Sequence, residues 1–367
     1  MKIAFLDPAP IRYTPETPFS EPLGGTQSAV CYLSTALARR GHDVTLITRS
    51  GNGERVRGVT CQVDDPHDLS GQLNAHDVVV VVTSPIAANL RQIGVNTRLV
   101  NWQHKAAENQ TISRFSEEVE RKAWSNSVFV SEFQRNSFQK KWGMDGIVLR
   151  NAISPEIESS SWVKTSFAKR HEDPVLVYAS APGRGLDVLL IAFPTIRKAF
   201  PNSKLKVFSD QLMYQISAEK DQYSAYYELA RQLPGVEYMG GVSQSELAEQ
   251  LMECDIWAYP TIFIETSCII MMEAAAAGCH ILTSNIGALK ETAGQFGRVL
   301  STGNSRAGWS GVYAQELISD VERFRRDPEA HQKNMDHQMR WFRQNCTWDR
   351  RAEEWETWLG GELVPSS

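Results

Sequence analysis

Residues 26–48 read TQSAVCYLSTALARRGHDVTLIT, and this stretch decides the fold. A helical pattern runs from about Thr26 to Arg40, and Asp43–Thr48 reads as a strand. Gly41 stands between them, where a helix end takes a residue in the left-handed conformation, so Arg40-Gly41-His42 marks a boundary. With the apolar run Lys2–Leu6 ahead of it, the order is βαβ. Further strands at Val78–Val82, Arg98–Trp102, Ser127–Val130 and Ile147–Leu149 continue the alternation. Such alternation implies a mostly parallel sheet covered on both faces. The first 160 residues are therefore expected to form a Rossmann-like α/β domain.

The polar, aperiodic stretch Ser154–Asp173 supplies a linker, drawn at 161–173, after which the pattern restarts. Strands are expected at Val175–Tyr178, Leu205–Phe208, Val236–Met239, Ile256–Tyr259 and His280–Thr283. Helices are expected near Leu186–Ala199, Gln244–Cys254 and Ile269–Ala277. The second doubly wound domain then spans 174–345. A last element, 346–367, carries Trp348, Trp355 and Trp358 on an apolar helical face suited to packing back on the first domain. A chain of 367 residues exceeds one comfortable core, in keeping with two domains. Tandem sheets of this kind are expected to face a cleft at their carboxyl ends, where open parallel sheets bind ligands.

Composition narrows the function classes. Hydrophobic residues make up 42% and charged residues 22%, ordinary for a globular protein. A formal net charge of −5 gives no concentrated basic surface for a phosphate backbone, which argues against nucleic acid as a partner. The six cysteines stand apart with no CxxC pair, so reduced thiols in a cytosolic protein fit better than a zinc site or a disulfide framework. Met1–Leu6 is too short an apolar run for a signal peptide and reads as the first strand. No apolar stretch approaches the roughly 20 residues of a membrane span. Basic residues recur from Arg121 to Arg150, including Lys140 and Lys141. They leave open a peripheral contact with the inner membrane surface, against the plainer reading of a solvated helix face.

Four groups of residues carry chemistry. Glu265 and Glu273 bracket the entrance of the helix that begins near Ile269. Unpaired N–H groups and the positive dipole end favour an anion such as a diphosphate there, and carboxylates beside it accept from sugar hydroxyls. The plain alternative has Glu265 capping the helix and Glu273 solvated or paired in the core. Gly24 and Gly25 precede the first helix, where small residues let backbone amides approach a phosphate, although a Gly-Gly pair is also an ordinary turn. Arg184, in Ala181-Pro182-Gly183-Arg184-Gly185-Leu186-Asp187 after the first strand of the second domain, is a planar cation suited to phosphate or else an exposed loop arginine. His104, ending Asn101-Trp102-Gln103-His104, is a sugar-hydroxyl contact or a structural histidine.

The run Tyr259-Pro260-Thr261…Phe263-Ile264-Glu265-Thr266-Ser267-Cys268-Ile269…Met272-Glu273-Ala274…Ala277-Gly278 resembles the E-x7-E signature of the retaining glycosyltransferases of family four, the group 1 glycosyltransferases. The resemblance implies a GT-B fold of two Rossmann-like domains with C-terminal helices. It implies that Glu273 holds the nucleotide ribose, that Glu265 bonds hydroxyls of the transferred sugar, and that the backbone of Thr266, Ser267, Cys268 and Ile269 lies along the donor's sugar and phosphates. Gly24-Gly25 is similar to the family's glycine loop, Arg184-Gly185 to its basic element, and His104 to its histidine near the transferred sugar. Gly240-Gly241-Val242 resembles the strand end whose backbone, at Val242, reads the base. Where many relatives supply a second cation this chain has Ala179-Ser180, which puts Ser180 on the donor side and makes Arg184 the principal cation.

The implied reaction moves a sugar from a nucleotide-sugar donor to a glycan, lipid-linked or other acceptor, with retention of configuration. Glu265, His104 and Arg184 form the catalytic set. No DxD-type carboxylate pair is placed to bridge a metal to the diphosphate, so no metal is expected, and no cofactor beyond the donor substrate. The competing readings are a nucleotide-sugar epimerase or phosphorylase of similar architecture, and a non-catalytic nucleotide-sugar-binding protein. A dehydrogenase is disfavoured because the Gly24-Gly25 loop is not a G-x-G-x-x-G fingerprint.

Overall fold

The computed structural model describes residues 1–303 and 305–361. The chain divides into two compact units. One holds 1–18, 24–152 and the described residues from Trp348 onward; the other holds 19–23 and 153–347. The stretch 161–173, drawn as a linker, lies within the second unit, where Phe167–Arg170 forms a short helix with Phe167 and Ala168 buried.

The first unit is built on eight strands: β1 (Lys2–Leu6), β2 (Asp43–Thr48), β3 (Arg55–Val56), β4 (Val59–Val63), β5 (Val78–Val82), β6 (Arg98–Gln103), β7 (Asn126–Phe129) and β8 (Ile147–Val148). Their order is β3-β4-β2-β1-β5-β6-β7-β8, parallel except for the β3–β4 pair. Central β5 is five consecutive valines, all fully buried, as a strand covered on both faces requires. Burying each such side chain stabilises by roughly 1.5–3 kcal/mol. The β3–β4 hairpin is absent from the sequence-based expectation. Its two-residue turn places Arg57 at φ 49° and Gly58 at φ 86°, the left-handed pair that tight hairpins favour. Arg-Gly is a weak signal for it because arginine seldom adopts that conformation.

The helix Trp348–Leu359 belongs to this unit and lies against the helix Gly25–Arg39. Trp355 sits edge-on to Trp102 at 5.3 Å between ring centroids, and Trp348 lies 6.0 Å from Tyr32. The end of the expected C-terminal element, 362–367, lies outside the described residues.

The second unit holds β9 (Val175–Ala179), β10 (Lys204–Phe208), β11 (Val236–Tyr238), β12 (Ile256–Tyr259), β13 (His280–Ser284) and β14 (Arg298–Leu300). All pair in parallel in the order β11-β10-β9-β12-β13-β14. Chain direction reverses its lateral progress between β9 and β12, and that is the switch point where such sheets open a crevice for ligands. The helices Leu186–Ala199 and Arg306–Arg326 pack on each other and bury Leu189, Phe193, Trp309, Tyr313 and Leu317. Among the described residues no helix is long and apolar enough to cross a membrane.

Candidate active site

The loops leaving β9 and β12 meet at the switch point of the second unit. From the β9 side come Ser180 and Arg184; from the β12 side come Phe263 and Glu265. Close approach of the two loops depends on Gly185. Its φ is +105°, and a Cβ there would lie 2.6 Å from the Pro260 carbonyl oxygen.

One carboxylate oxygen organises the cluster. Glu265 Oε1 accepts from the Tyr259 hydroxyl at 2.6 Å and from Arg184 Nη1 at 3.0 Å. Ser180 Oγ lies 3.2 Å from the same Tyr259 hydroxyl. The other end of the Arg184 guanidinium reaches the Tyr214 hydroxyl at 3.4 Å, and its face lies 4.3 Å from the Phe263 ring centroid. Glu265 is buried, whereas Arg184 keeps about a quarter of its side chain exposed (28%), so the cation can meet a ligand without leaving its partner. Burial works against the Arg184 charge, but Glu265 and the Tyr214 and Tyr259 hydroxyls outweigh it and hold the guanidinium firmly protonated. Burial and the Glu265 carboxylate likewise push the Tyr259 phenol upward, so it stays a donor.

Glu265 does not cap the following helix. That helix is Ile269–Ala276, its N-cap is Cys268, and its first turn contains no acidic residue. Burial raises the Cys268 thiol well above its ordinary range, which leaves it un-ionised. Thr266 is buried and Ser267 half-buried on the approach to the helix. Glu273, one turn inside, is buried, and its Oε1 accepts from the Ser154 backbone N–H at 3.0 Å. Burial raises this carboxyl to about 7, against the lowering effect of Ser154. Glu273 is thus buried and, among the described residues, has no cation at ion-pair distance.

Val242 is half-buried on the core edge, after Gly240 at φ +71°. A residue that the sequence reading passed over fixes this turn. Asp210, past the end of β10, accepts from the Gly241 N–H at 2.6 Å and the Leu212 N–H at 3.0 Å. A Cβ on Gly241 would stand 2.5 Å from that carboxylate. An acid at a parallel strand's carboxyl end, paired with a Gly-Gly, was the available signal. Tyr214 was also missed; it stands some thirty residues from Arg184 in a stretch without periodicity.

In the first unit, Gly24 is the N-cap of the helix Gly25–Arg39, whose first turn also lacks acids. Gln27 in that turn donates to Asp7 Oδ2 at 3.0 Å, and Tyr13 donates to the same oxygen at 2.8 Å. His104 follows β6 with its ring 4.6 Å from Trp102, edge-on. Burial lowers its pKa to about 3, so the imidazole is neutral and suited to hydrogen bonding rather than charge. Much of the basic stretch 121–150 is used internally. Arg121 donates to the Phe115 and Ser116 carbonyls, Arg135 pairs with Asp145, and Lys141 donates to the Ala107 carbonyl. Among the described residues no group of three or more His, Cys, Asp or Glu is arranged to hold a metal ion.

Two doubly wound parallel sheets, with a cation and a buried acid meeting at the switch point of the second, define the two-lobed GT-B class of α/β proteins. The sequence model of the family described as Glycosyl transferases group 1 matches residues 173–312. Glycogen synthase of Mycobacterium tuberculosis is 22% identical over 325 residues, covering 73% of this chain and 76% of that protein. Phosphatidyl-myo-inositol mannosyltransferase of Propionibacterium freudenreichii is 24% identical over 213 residues, covering 55% and 51%. Among solved structures, Anabaena Alr3699/HepE in complex with UDP and glucose superposes with a TM-score of 0.72 at 14% identity, covering 98% of this chain and 99% of that one. The match to the group 1 glycosyltransferases thus lies on the second unit, residues 173–312, and over its wider length the chain is similar to glycosyltransferases in sequence and in fold.

Proposed function

We propose that this protein transfers a sugar from a nucleoside diphosphate donor to a hydroxyl acceptor with retention of configuration and without a metal ion, and that the donor sits at the β9/β12 switch point. The observation that carries the reading is the shared hydrogen bonding of Glu265 Oε1 by Arg184 and Tyr259. It holds a cation and an acid side by side where a sugar and its diphosphate would meet. The bond from the anomeric carbon to the diphosphate oxygen breaks, and negative charge grows on the departing phosphate. Arg184 and the open N–H groups at Ile269 stabilise that charge. The acceptor oxygen bonds to the anomeric carbon from the same face, and its proton passes to the leaving phosphate. Glu265, already bonded on one oxygen, orients sugar hydroxyls, and Glu273 accepts from the ribose. Thr266 and Ser267 line the path to the phosphates, and Val242, on the turn that Asp210 fixes, lies beside the base.

The acceptor is assigned to the first unit, where neutral His104 is the candidate contact for a hydroxyl of the transferred sugar and the Gly24-Gly25 amides are candidates for the donor phosphate. A glycan or a lipid-linked sugar is the acceptor class we favour. Membrane contact draws no support from the stretch 121–150, since Arg121, Arg135 and Lys141 are engaged within the protein. Six free, buried cysteines support a reducing, cytosolic setting.

The test is a donor screen by thermal shift, followed by turnover with the stabilising donor in excess chelator and by NMR of the product anomer. Turnover that only a divalent ion restores refutes the metal-free mechanism, and an inverted product refutes retention. Donor binding with neither transfer nor hydrolysis would favour a binding protein.

A further inference from the structure

The first sheet has its own switch point, between β1 and β5, and its carboxyl edge carries features that the donor chemistry does not use. Thr83, directly after β5, is buried and has φ 56°. A β-branched residue is strained in the left-handed region, and strain of this kind persists where surrounding contacts impose it, commonly at functional sites. The imposing contact is Gln103, the last residue of β6. Its Nε2 donates to the Thr83 carbonyl at 3.3 Å, and its Oε1 accepts from the backbone N–H groups of His104 at 3.1 Å and Lys105 at 2.8 Å. Gln134 Nε2 adds a bond to the Lys105 carbonyl at 2.9 Å. Backbone and side-chain bonds thus fasten Thr83, His104 and Lys105 to one another.

Lys105 is the unusual member. Its side chain is half-buried, and its ammonium donates to one neutral group, Thr111 Oγ1, at 2.8 Å. Among the described residues no carboxylate lies within ion-pair distance of it. Burial lowers its pKa, an effect that the more distant Asp7 charge only partly offsets. Nearby cations are treated differently: Lys122 pairs with Glu118, and Lys141 lies over Trp142 while bonding a carbonyl. His104 contributes no charge. A partly desolvated ammonium without a counter-ion gains most from an incoming anion, because neither partner keeps its full hydration there.

We propose that Thr83 and Lys105, at the carboxyl edge of β5 and β6, form a subsite for an anionic group, a phosphate or a carboxylate, carried by the acceptor sugar. Assigning the group to an acceptor rests on the glycosyl-transfer reading above. Lys105 supplies the charge, and the Thr83 hydroxyl supplies a neutral hydrogen bond to the same group or to the sugar hydroxyls beside it.

Calorimetric titration of the full chain with glucose 6-phosphate, glucuronate and glucose at constant ionic strength tests this, for the parent, Lys105→Gln and Lys105→Arg. UDP and GDP serve as separate titrants, and thermal melts monitor folding. The parent should bind an anionic sugar roughly tenfold or more tighter than glucose, the gain a charge-assisted hydrogen bond gives. Lys105→Gln should fall to the glucose level, Lys105→Arg should keep part of the preference, and nucleotide binding should stay parental in both. Preference for glucose 6-phosphate over glucuronate would identify the group as a phosphate, and the reverse order as a carboxylate. Equal binding of charged and neutral sugars by the parent, or a charge preference surviving in Lys105→Gln, overturns the proposal. Should Lys105→Gln fail to fold, Lys105→Met takes its place: loss of the charge preference in the folded Lys105→Met supports the subsite, and its survival there overturns it. If no nucleotide binds any version while the Lys105-dependent preference persists, the subsite stands and the donor assignment fails.

Discussion

Glu265 Oε1 is shared between Tyr259 and Arg184, so the cation that meets a diphosphate is also the neutralising partner of a buried acid. Removing Arg184 therefore has two effects: the leaving group loses its charge partner, and Glu265 is left with the Tyr259 hydroxyl alone. Arg184→Ala should lower kcat/KM by roughly tenfold or more, since charge-assisted bonds are worth about 1.5–3 kcal/mol and each ~1.36 kcal/mol is a factor of ten. Arg184→Lys should recover only part, because an ammonium cannot span Glu265, Tyr214 and a phosphate as a planar fork can. Initial rates and melts separate the two effects; a folded Arg184→Ala with parental efficiency would show that another group holds the diphosphate. Glu273 behaves differently because burial, not pairing, sets its pKa near 7. The raised value means that folding favours the protonated form. Below the unfolded carboxyl value of about 4.5 the group imposes no penalty. As pH rises through 7 the penalty grows to its full size, so its contribution to stability falls across that window. Ribose hydroxyls bond the ionised form, so nucleotide affinity should rise with pH up to about 7 and level off above it. Glu273→Gln should bind more weakly and lose this pH dependence, and isotherms across the range decide it.

At the scale of elements, the loop from β12 to the helix Ile269–Ala276 owes its shape to a neighbouring turn. The Glu265 carbonyl accepts from the Ala288 N–H at 2.7 Å, and Gly287 adopts φ +63° against it. A Cβ on Gly287 would stand 2.1 Å from the Glu265 oxygen, and backbone on both sides leaves no flexible group to yield. Gly287→Ala should cost more than the ~1 kcal/mol of a left-handed alanine and should weaken donor binding by displacing Glu265. Gly143→Ala is the matched comparison, with φ +67° at a helix end and nothing within 4 Å of the new methyl. Chemical denaturation of both variants, with nucleotide titration, tests this; equal costs and parental binding in both would show that the close approach does not position Glu265.

For the whole molecule, the outer part of the second sheet is held by one acid. Asp320, on the helix Arg306–Arg326, accepts from His280 Nε2 of β13 at 3.1 Å, from Arg298 of β14 at 2.6 Å and from Arg323 at 2.5 Å. Burial alone would raise its pKa, but the His280, Arg323 and Arg298 contacts bring it down to about 2. A depressed carboxyl contributes stability that is present above its unfolded value of about 3.9 and is lost as pH falls through 2. Asp320→Asn should therefore destabilise at neutral pH by at most about 2–3 kcal/mol, the linkage value of a carboxyl depressed from about 3.9 to about 2, with the partly exposed Arg298 and Arg323 regaining some solvation. Its stability should also change less than the parent's between about pH 4 and 2. Parallel denaturation curves for the two proteins would refute the role.

What the sequence determined by itself was periodicity and punctuation. Buried parallel strands must be runs such as Val78–Val82, and a left-handed stop such as Gly41 closes a helix in any context, so the two doubly wound sheets and the helix at Trp348 were legible in one dimension. Spacing also placed Glu265, Arg184 and His104 just past the carboxyl ends of strands, and Glu273 in the helix that follows Glu265. Tertiary structure decided who meets whom. Glu265 reads as a sugar-bonding acid or as a helix cap, and the fold decides its partner by placing Arg184, eighty-one residues earlier in the chain, 3.0 Å from it. Glu273 reads as a ribose-bonding acid, but the sequence carries no sign that burial raises its carboxyl to about 7. The hairpin at Arg57-Gly58 and Asp210 beneath Gly241 leave only weak local signals, and Lys105, with no carboxylate at ion-pair distance among the described residues, leaves none. Each depends on which surfaces are brought together and how much water is removed between them, and side-chain spacing along a chain does not encode either quantity.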